Sequence, residues 1–256
     1  YNEVVHRRHA LLPDIQNSNK WRILLKAIQE EVMSTPGLRL PGCLDLVLKH
    51  LAFAKQRMDS VADPLAKVCL MLMPIALLLA LVGSDERHTK SQRERAREIL
   101  SKMQPKFLHA MAVSADWGLI CINFLRLFDA SDHDISKSQD ELEGFKETVR
   151  CLFVNGGVFH SLPPPTSASG DADDANVSFI TDRVRRQTLK KSVFRCGGQQ
   201  VVAWGPLKED DLRELALSTR TAAAVMLQRL DADFSGLRKH FSCSVSYTHL
   251  TLPTTP

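Results

Sequence analysis

Tyrosine occurs twice and tryptophan three times in the 256 residues, and all aromatics together make up 6%. Glycine is nearly as thin, at 12 positions. So little of either disfavours a strand-and-turn architecture and an aromatic platform for single-stranded nucleic acid, while abundant Leu, Ala, Lys, Arg and Glu favour helices. Excess charge of one sign is missing too. The net +4 argues only weakly for an acidic partner and disfavours sequence-specific nucleic-acid recognition.

Catalytic signatures are absent as well. No GxxxxGK[ST], GxGxxG, HExxH or GxSxG pattern occurs, which removes support for a phosphate cradle, a zinc peptidase or a nucleophile elbow. The six cysteines are scattered without a CxxC pair, pointing to reduced thiols in an intracellular, cytoplasmic setting. Nothing selects Asp116, His109 and Cys121 as an assembled site. No cofactor is implied, and an enzymatic role is disfavoured.

What the sequence holds in quantity is helical apolar periodicity. After an N-terminal arm (1–18), residues 19–155 divide into six helical segments. Ser18 caps the first, Asn19 to Ser34, in which Trp21, Leu24, Leu25, Ile28 and Val32 form one stripe. Pro41 suits the first turn of a second helix. The third segment opens at Asp63-Pro64 and contains Val68 to Ser84, a run without charge that Pro74 should kink. Its length of roughly 25 Å at 1.5 Å per residue falls short of the approximately 30 Å hydrocarbon core of a bilayer. A central helix covered on all sides is therefore the first expectation, and a short membrane span through 68–84 the second. Ser91 to Glu94 and Ser138 to Glu141 read as capping boxes, with Pro105 interrupting the chain between them and Asp116 to Phe128 forming a separate helix.

The expected fold is all-α: an irregular helical bundle, or an α-solenoid-like stack comparable in pattern to armadillo and HEAT proteins, although no fixed repeat period is present. Residues 156–176 form a Pro/Ser/Asp-rich linker. A basic helix over Phe179 to Arg195, a short strand near Gln199 to Trp204 and a final helix from about Lys208 to Leu230 fill most of 177–244. Residues 245–256 include VSYTHLTLPT, which resembles a translated sequencing adapter and is set aside from the fold. With Tyr1 standing where an initiator Met would, the native chain is expected to extend past both ends.

Two features carry chemistry. Asp231, Asp233 and Ser235, followed by Gly236, match the front half of an EF-hand calcium loop. Arg238 and Ser242 break its back half, which makes Asp231, Asp233 and Ser235 weak metal ligands at most. The basic stretch is the stronger lead. Arg183, Arg185, Arg186, Lys190, Lys191 and Arg195 accompany Ile180, Val184, Leu189 and Val193, the composition of a basic amphipathic helix that engages an acidic protein or an anionic lipid surface. Thr188 after Arg185-Arg186-Gln187 suits a basophilic kinase. The functional expectation is a non-enzymatic protein–protein interaction or scaffold module with a basic regulatory segment.

Overall fold

A computed structural model describes Leu11, Ile15 and residues 18–35, 59–129, 137–160 and 179–234. The described chain is all-α apart from one hairpin. Its helices are α1 (Asn19–Ser34), α2 (Asp59–Leu70), α3 (Leu72–Ser84), α4 (Lys90–Lys102), α5 (Pro105–Asp129), α6 (Ser138–Val149), α7 (Ile180–Leu189) and α8 (Glu209–Phe234). Strands β1 (Ser192–Cys196) and β2 (Gln199–Trp204) lie between α7 and α8. Two compact units divide the chain: Tyr1–Ile122 with Val158–Leu215, and Asn123–Gly157 with Ala216–Pro256.

In the first unit α3 is the central element. It touches α1, α2, α4, α7 and β1, and Leu72, Ile75, Ala76, Leu78, Leu79 and Val82 are all fully buried. A helix apolar on every side needs partners on every side, which explains the uncharged run. That run is not one straight helix. It breaks at Met71, and the stretches Ala62–Leu70 and Leu72–Ser84 meet at 78°.

Pro74 accounts for the position of the break. It lacks the N–H that would bond the Leu70 carbonyl, and its ring would strike that carbonyl in a continuous helix. Ending one helix at Leu70 and starting the next at Leu72 puts Pro74 in a first turn, where a missing N–H costs nothing. Pro64 lies inside α2, which begins at Asp59 instead of at Asp63-Pro64. By length and composition one helix, Pro105–Leu127, could cross a membrane, and the bent pair makes a second if its halves are taken as one span.

Several local expectations are corrected. The capping box before α4 is Thr89 with Gln92, not Ser91 with Glu94: Thr89 Oγ1 accepts the Gln92 N–H at 3.3 Å and Gln92 Oε1 accepts the Thr89 N–H at 3.1 Å. Both pairs fit the pattern; the turn through Asp85 and His88 decides, since His88 N–H donates to the Asp85 carbonyl and puts Thr89 in extended backbone. Lys137 precedes α6, and no side chain caps that end, so Ser138 is inside the helix. Pro105 opens the 25-residue α5, which carries through Asp116 to Asp129 unbroken. The Pro41 helix and most of the 156–176 linker fall outside the described residues.

The second unit holds α6, its π-helical end Arg150–Val154 and the later part of α8. Phe124 and Phe145 stack with ring centroids 4.2 Å apart. Lys146 donates to Asp231 at 2.7 Å and to Glu143 at 3.0 Å, although its side chain is only 6% exposed. Burial opposes the ammonium charge, but the hydrogen bonds to Asp231 and Glu143 outweigh it and hold the Lys146 pKa above its ordinary value.

Candidate functional site

The basic stretch divides between two elements. The helical part ends at Leu189, where Lys190 turns extended (φ −73°, ψ 116°). Ser192 to Cys196 then form β1, paired antiparallel with β2 from Ser192↔Trp204 to Cys196↔Gln199. This corrects the single basic helix over Phe179 to Arg195. The turn is Gly197-Gly198, with φ of +57° and +84°. Two consecutive positive φ values are the requirement of the two-residue hairpin turn whose twist suits its strands, and only glycine adopts them without cost.

Helix α7 is fixed at both ends by residues distant in sequence. Phe179 stands at its N-cap position and offers no side-chain acceptor. Asp116, on α5, supplies the cap instead. Its Oδ1 accepts the Ile180 N–H at 2.8 Å, and its Oδ2 accepts the Thr181 N–H at 2.8 Å and the Thr181 hydroxyl at 2.6 Å. Those are orphan donors at the positive end of a helix, the place where a carboxylate is most useful. Burial pushes the Asp116 pKa up, and the bonds from Thr181 and Ile180 only partly offset it. Toward the other end, Gln187, fully buried, donates through Nε2 to the Cys69 carbonyl at 3.0 Å. That carbonyl lies beside the break between α2 and α3, where regular i→i+4 pairing stops.

The hairpin is anchored similarly. Phe194, Cys196, Val202 and Trp204 face inward, with Phe194 and Trp204 rings 4.5 Å apart, and Trp204 Nε1 donates to the Met103 carbonyl at 2.9 Å. On α3, Gly83 permits the close approach of β1: a Cβ there would stand 2.8 Å from Cys196 Sγ and 3.1 Å from Arg97 Cγ. Arg97 Nε donates to the Gly83 carbonyl at 2.9 Å, and Gly197 N–H to Ser84 Oγ at 3.0 Å.

This scaffold sorts the sequence-selected residues. Ile180 and Val184 are buried, so the apolar stripe of α7 is spent on the core. Asp182 accepts from Arg185 at 2.8 Å and from Arg186 at 2.7 Å, which neutralises part of the basic charge locally. Arg183 is half-buried. Lys190, Lys191 and Arg195 are exposed and stand beside the exposed apolar residues Leu189 (53%) and Val193 (50%). Val193 and Arg195 share the outward face of β1, opposite exposed Ala203 and Gln200 on β2.

Thr188 is corrected as a modification site: it is 1% exposed, and its hydroxyl donates to the Val184 carbonyl at 3.0 Å, so a kinase cannot reach it without opening α7. Asp231 and Asp233 lie within α8, not on a loop, and the Asp231 carboxylate is held below its usual pKa by the Lys146 hydrogen bond. Ser235 is outside the described residues. Among the described residues no group of three or more His, Cys, Asp and Glu side chains is placed to hold a metal. Asp116, His109 and Cys121 do not form a nucleophile with its base: Asp116 is committed to α7, His109 Nδ1 is 2.8 Å from the Pro105 carbonyl, and burial raises the Cys121 thiol pKa away from the reactive thiolate.

Comparison with protein-family models, with curated proteins and with solved structures returned no match, so the functional reading rests on the chain's own geometry.

Proposed function

We propose that the protein is a helical interaction module that binds an acidic, partly apolar segment of another protein on the surface formed by the end of α7 and the outward face of the hairpin. The observation that carries this reading is the exposure of Leu189 and Val193 among Lys190, Lys191 and Arg195 on one rigidly anchored chain segment. Apolar side chains give contact area, and flanking cations steer and orient an acidic partner. A protein segment is favoured over an anionic lipid surface or a helix-binding groove because the apolar face that α7 would lay on either is already buried through Ile180 and Val184.

The hairpin rests on α3 and α4, the elements that β1 and β2 touch, so the surface is presented on core structure and little ordering accompanies binding. A selection of random peptides displayed against the full chain tests the reading. Sequences interleaving Asp or Glu with Leu, Val or Phe should be enriched, and lost when K191E and R195E are introduced together. Enrichment of basic or uncharged peptides contradicts it.

A further inference from the structure

Within the first unit, a cleft of about 180 Å³ opens beside α5 and α7, lined by His109, Phe159, Thr181, Asp182, Leu207 and Leu212 among others. Its polar groups are almost all committed. Thr181 donates its hydroxyl to Asp116, Thr188 donates to the Val184 carbonyl, and Asp182 is bonded to Arg185 and Arg186. His109 is the exception. The residue is 3% exposed, and its Nδ1, 2.8 Å from the Pro105 carbonyl, must carry the proton to donate there. The neutral ring then holds a bare lone pair on Nε2, which accepts no hydrogen bond from any described residue.

The ligand class follows from these constraints. The uncommitted group is an acceptor, so the ligand must be a donor. Asp182 answers the nearby guanidinium charge, so a neutral ligand is favoured over an anion, and Arg185 and Arg186 oppose a cation. The walls supplied by Val158, Phe159, Leu207 and Leu212 are apolar. An apolar cavity of about 150 Å³ suffices for benzene, whereas drug-sized ligands occupy roughly 300 Å³ or more. The cleft is therefore sized for one six-membered ring with a small substituent.

We propose that this cleft is a binding site for a small neutral phenol, whose hydroxyl donates to His109 Nε2 while its ring packs against Phe159, Leu207 and Leu212. The inference is independent of the acidic-segment reading, because it uses neither Lys191 nor Arg195. Calorimetry or ligand-observed NMR on the full chain, with p-cresol, toluene and benzoate as probes, tests it. p-Cresol should bind at least tenfold more tightly than toluene, which lacks only the hydroxyl, and more tightly than benzoate. H109F should remove the preference over toluene, and L212W, which fills the cleft from a half-buried position, should weaken p-cresol at least tenfold. Failure of p-cresol to bind, equal binding of p-cresol and toluene to the unaltered protein, or unchanged p-cresol binding by L212W would each overturn the proposal.

Discussion

Replacing Asp116 by Asn isolates the long-range cap of α7 with almost no change in shape. In the native protein three donors converge on the carboxylate: Ile180 N–H, Thr181 N–H and the Thr181 hydroxyl, at 2.8, 2.8 and 2.6 Å. An amide keeps one oxygen, which can serve Ile180. The NH2 that replaces Oδ2 then faces two donors. The Thr181 hydroxyl can rotate and accept from it, but the backbone N–H of Thr181 cannot, and stranding one buried donor costs about 1–3 kcal/mol. Loss of the carboxylate charge at the helix N-terminus removes a further 0.3–1 kcal/mol or so. Relief of carboxylate burial, the dominant influence on its pKa, returns part of this.

The expected net loss is about 2 kcal/mol, or a fall of about 1 M in urea midpoint for a slope near 2 kcal/mol/M. Urea titration followed by tryptophan fluorescence reads the midpoint, and amide hydrogen exchange at Ile180 and Thr181 localises the effect. The sign of the pH dependence follows from the raised pKa. The native site takes up a proton more readily than the unfolded chain does, so its contribution is fully present below the unfolded value and declines as pH rises through the folded one. Protonated Asp116 resembles the amide, so the gap between the native protein and D116N should narrow as the solution is acidified. A midpoint that is unchanged or higher in D116N at pH 7 refutes the capping argument.

Other perturbations probe separate parts of the account. L78A should cost about 2–5 kcal/mol because Leu78 is fully buried, while L81A at a 44% exposed position of the same helix should cost far less; equal losses would speak against α3 as a covered core helix. G83A gains up to about 1 kcal/mol of helix propensity but forces Cys196 aside, for an expected net loss of about 1–2 kcal/mol. C196A added to it should restore most of that loss, and a double mutant no better than G83A alone would mean that the backbone, not the thiol, is the obstacle. Burial lowers the His109 pKa, with the Pro105 hydrogen bond opposing and Arg185 assisting. Its contribution to stability is therefore complete above the unfolded pKa of about 6.5 and lost as pH falls below it. Urea midpoints at pH 7.5 and 5.5 should show a smaller acid-induced drop in H109F than in the native protein, and identical drops would remove His109 from the acid response.

Helical content was readable because packing imposes a period on the side chains. Ser18 and the stripe from Trp21 to Val32 define α1 at the residues where it starts and ends, and the uncharged run signalled a helix needing cover on all sides. The break at Met71 was less legible. Pro74 announces a disruption, but whether a proline kinks a helix or occupies the first turn of a new one depends on neighbours such as Gln187. The hairpin left a visible trace that was read only as a stop. Gly197-Gly198 lies between Val193–Phe194–Arg195–Cys196 and Val201–Val202–Ala203–Trp204, and alternating burial there is the period of a strand. The role of Asp116 had a fainter sign, one carboxylate within the apolar face of α5. Nothing local could name its partners 64 and 65 positions away.

Among the sequence-selected residues, composition marked the surface but not its division. Arg185 and Arg186 are matched by Asp182 one turn earlier on the helix, a pairing that i,i+3 and i,i+4 spacing allows one to anticipate. Lys191 and Arg195 keep their exposure because the chain leaves the helix at Leu189 and enters a strand that alternates inward and outward.

The most direct test of the interaction surface is fluorescence anisotropy of a labelled synthetic peptide alternating Glu with Leu and Val, titrated with the full chain at about 50 and 200 mM salt. Binding should weaken with added salt and fall at least tenfold in the K191E/R195E protein, while the urea midpoint of that protein stays within about 0.5 kcal/mol of native, as expected for exposed positions. Binding that is indifferent to salt, or equally tight in the charge-reversed protein, would contradict the assignment of this surface to an acidic partner.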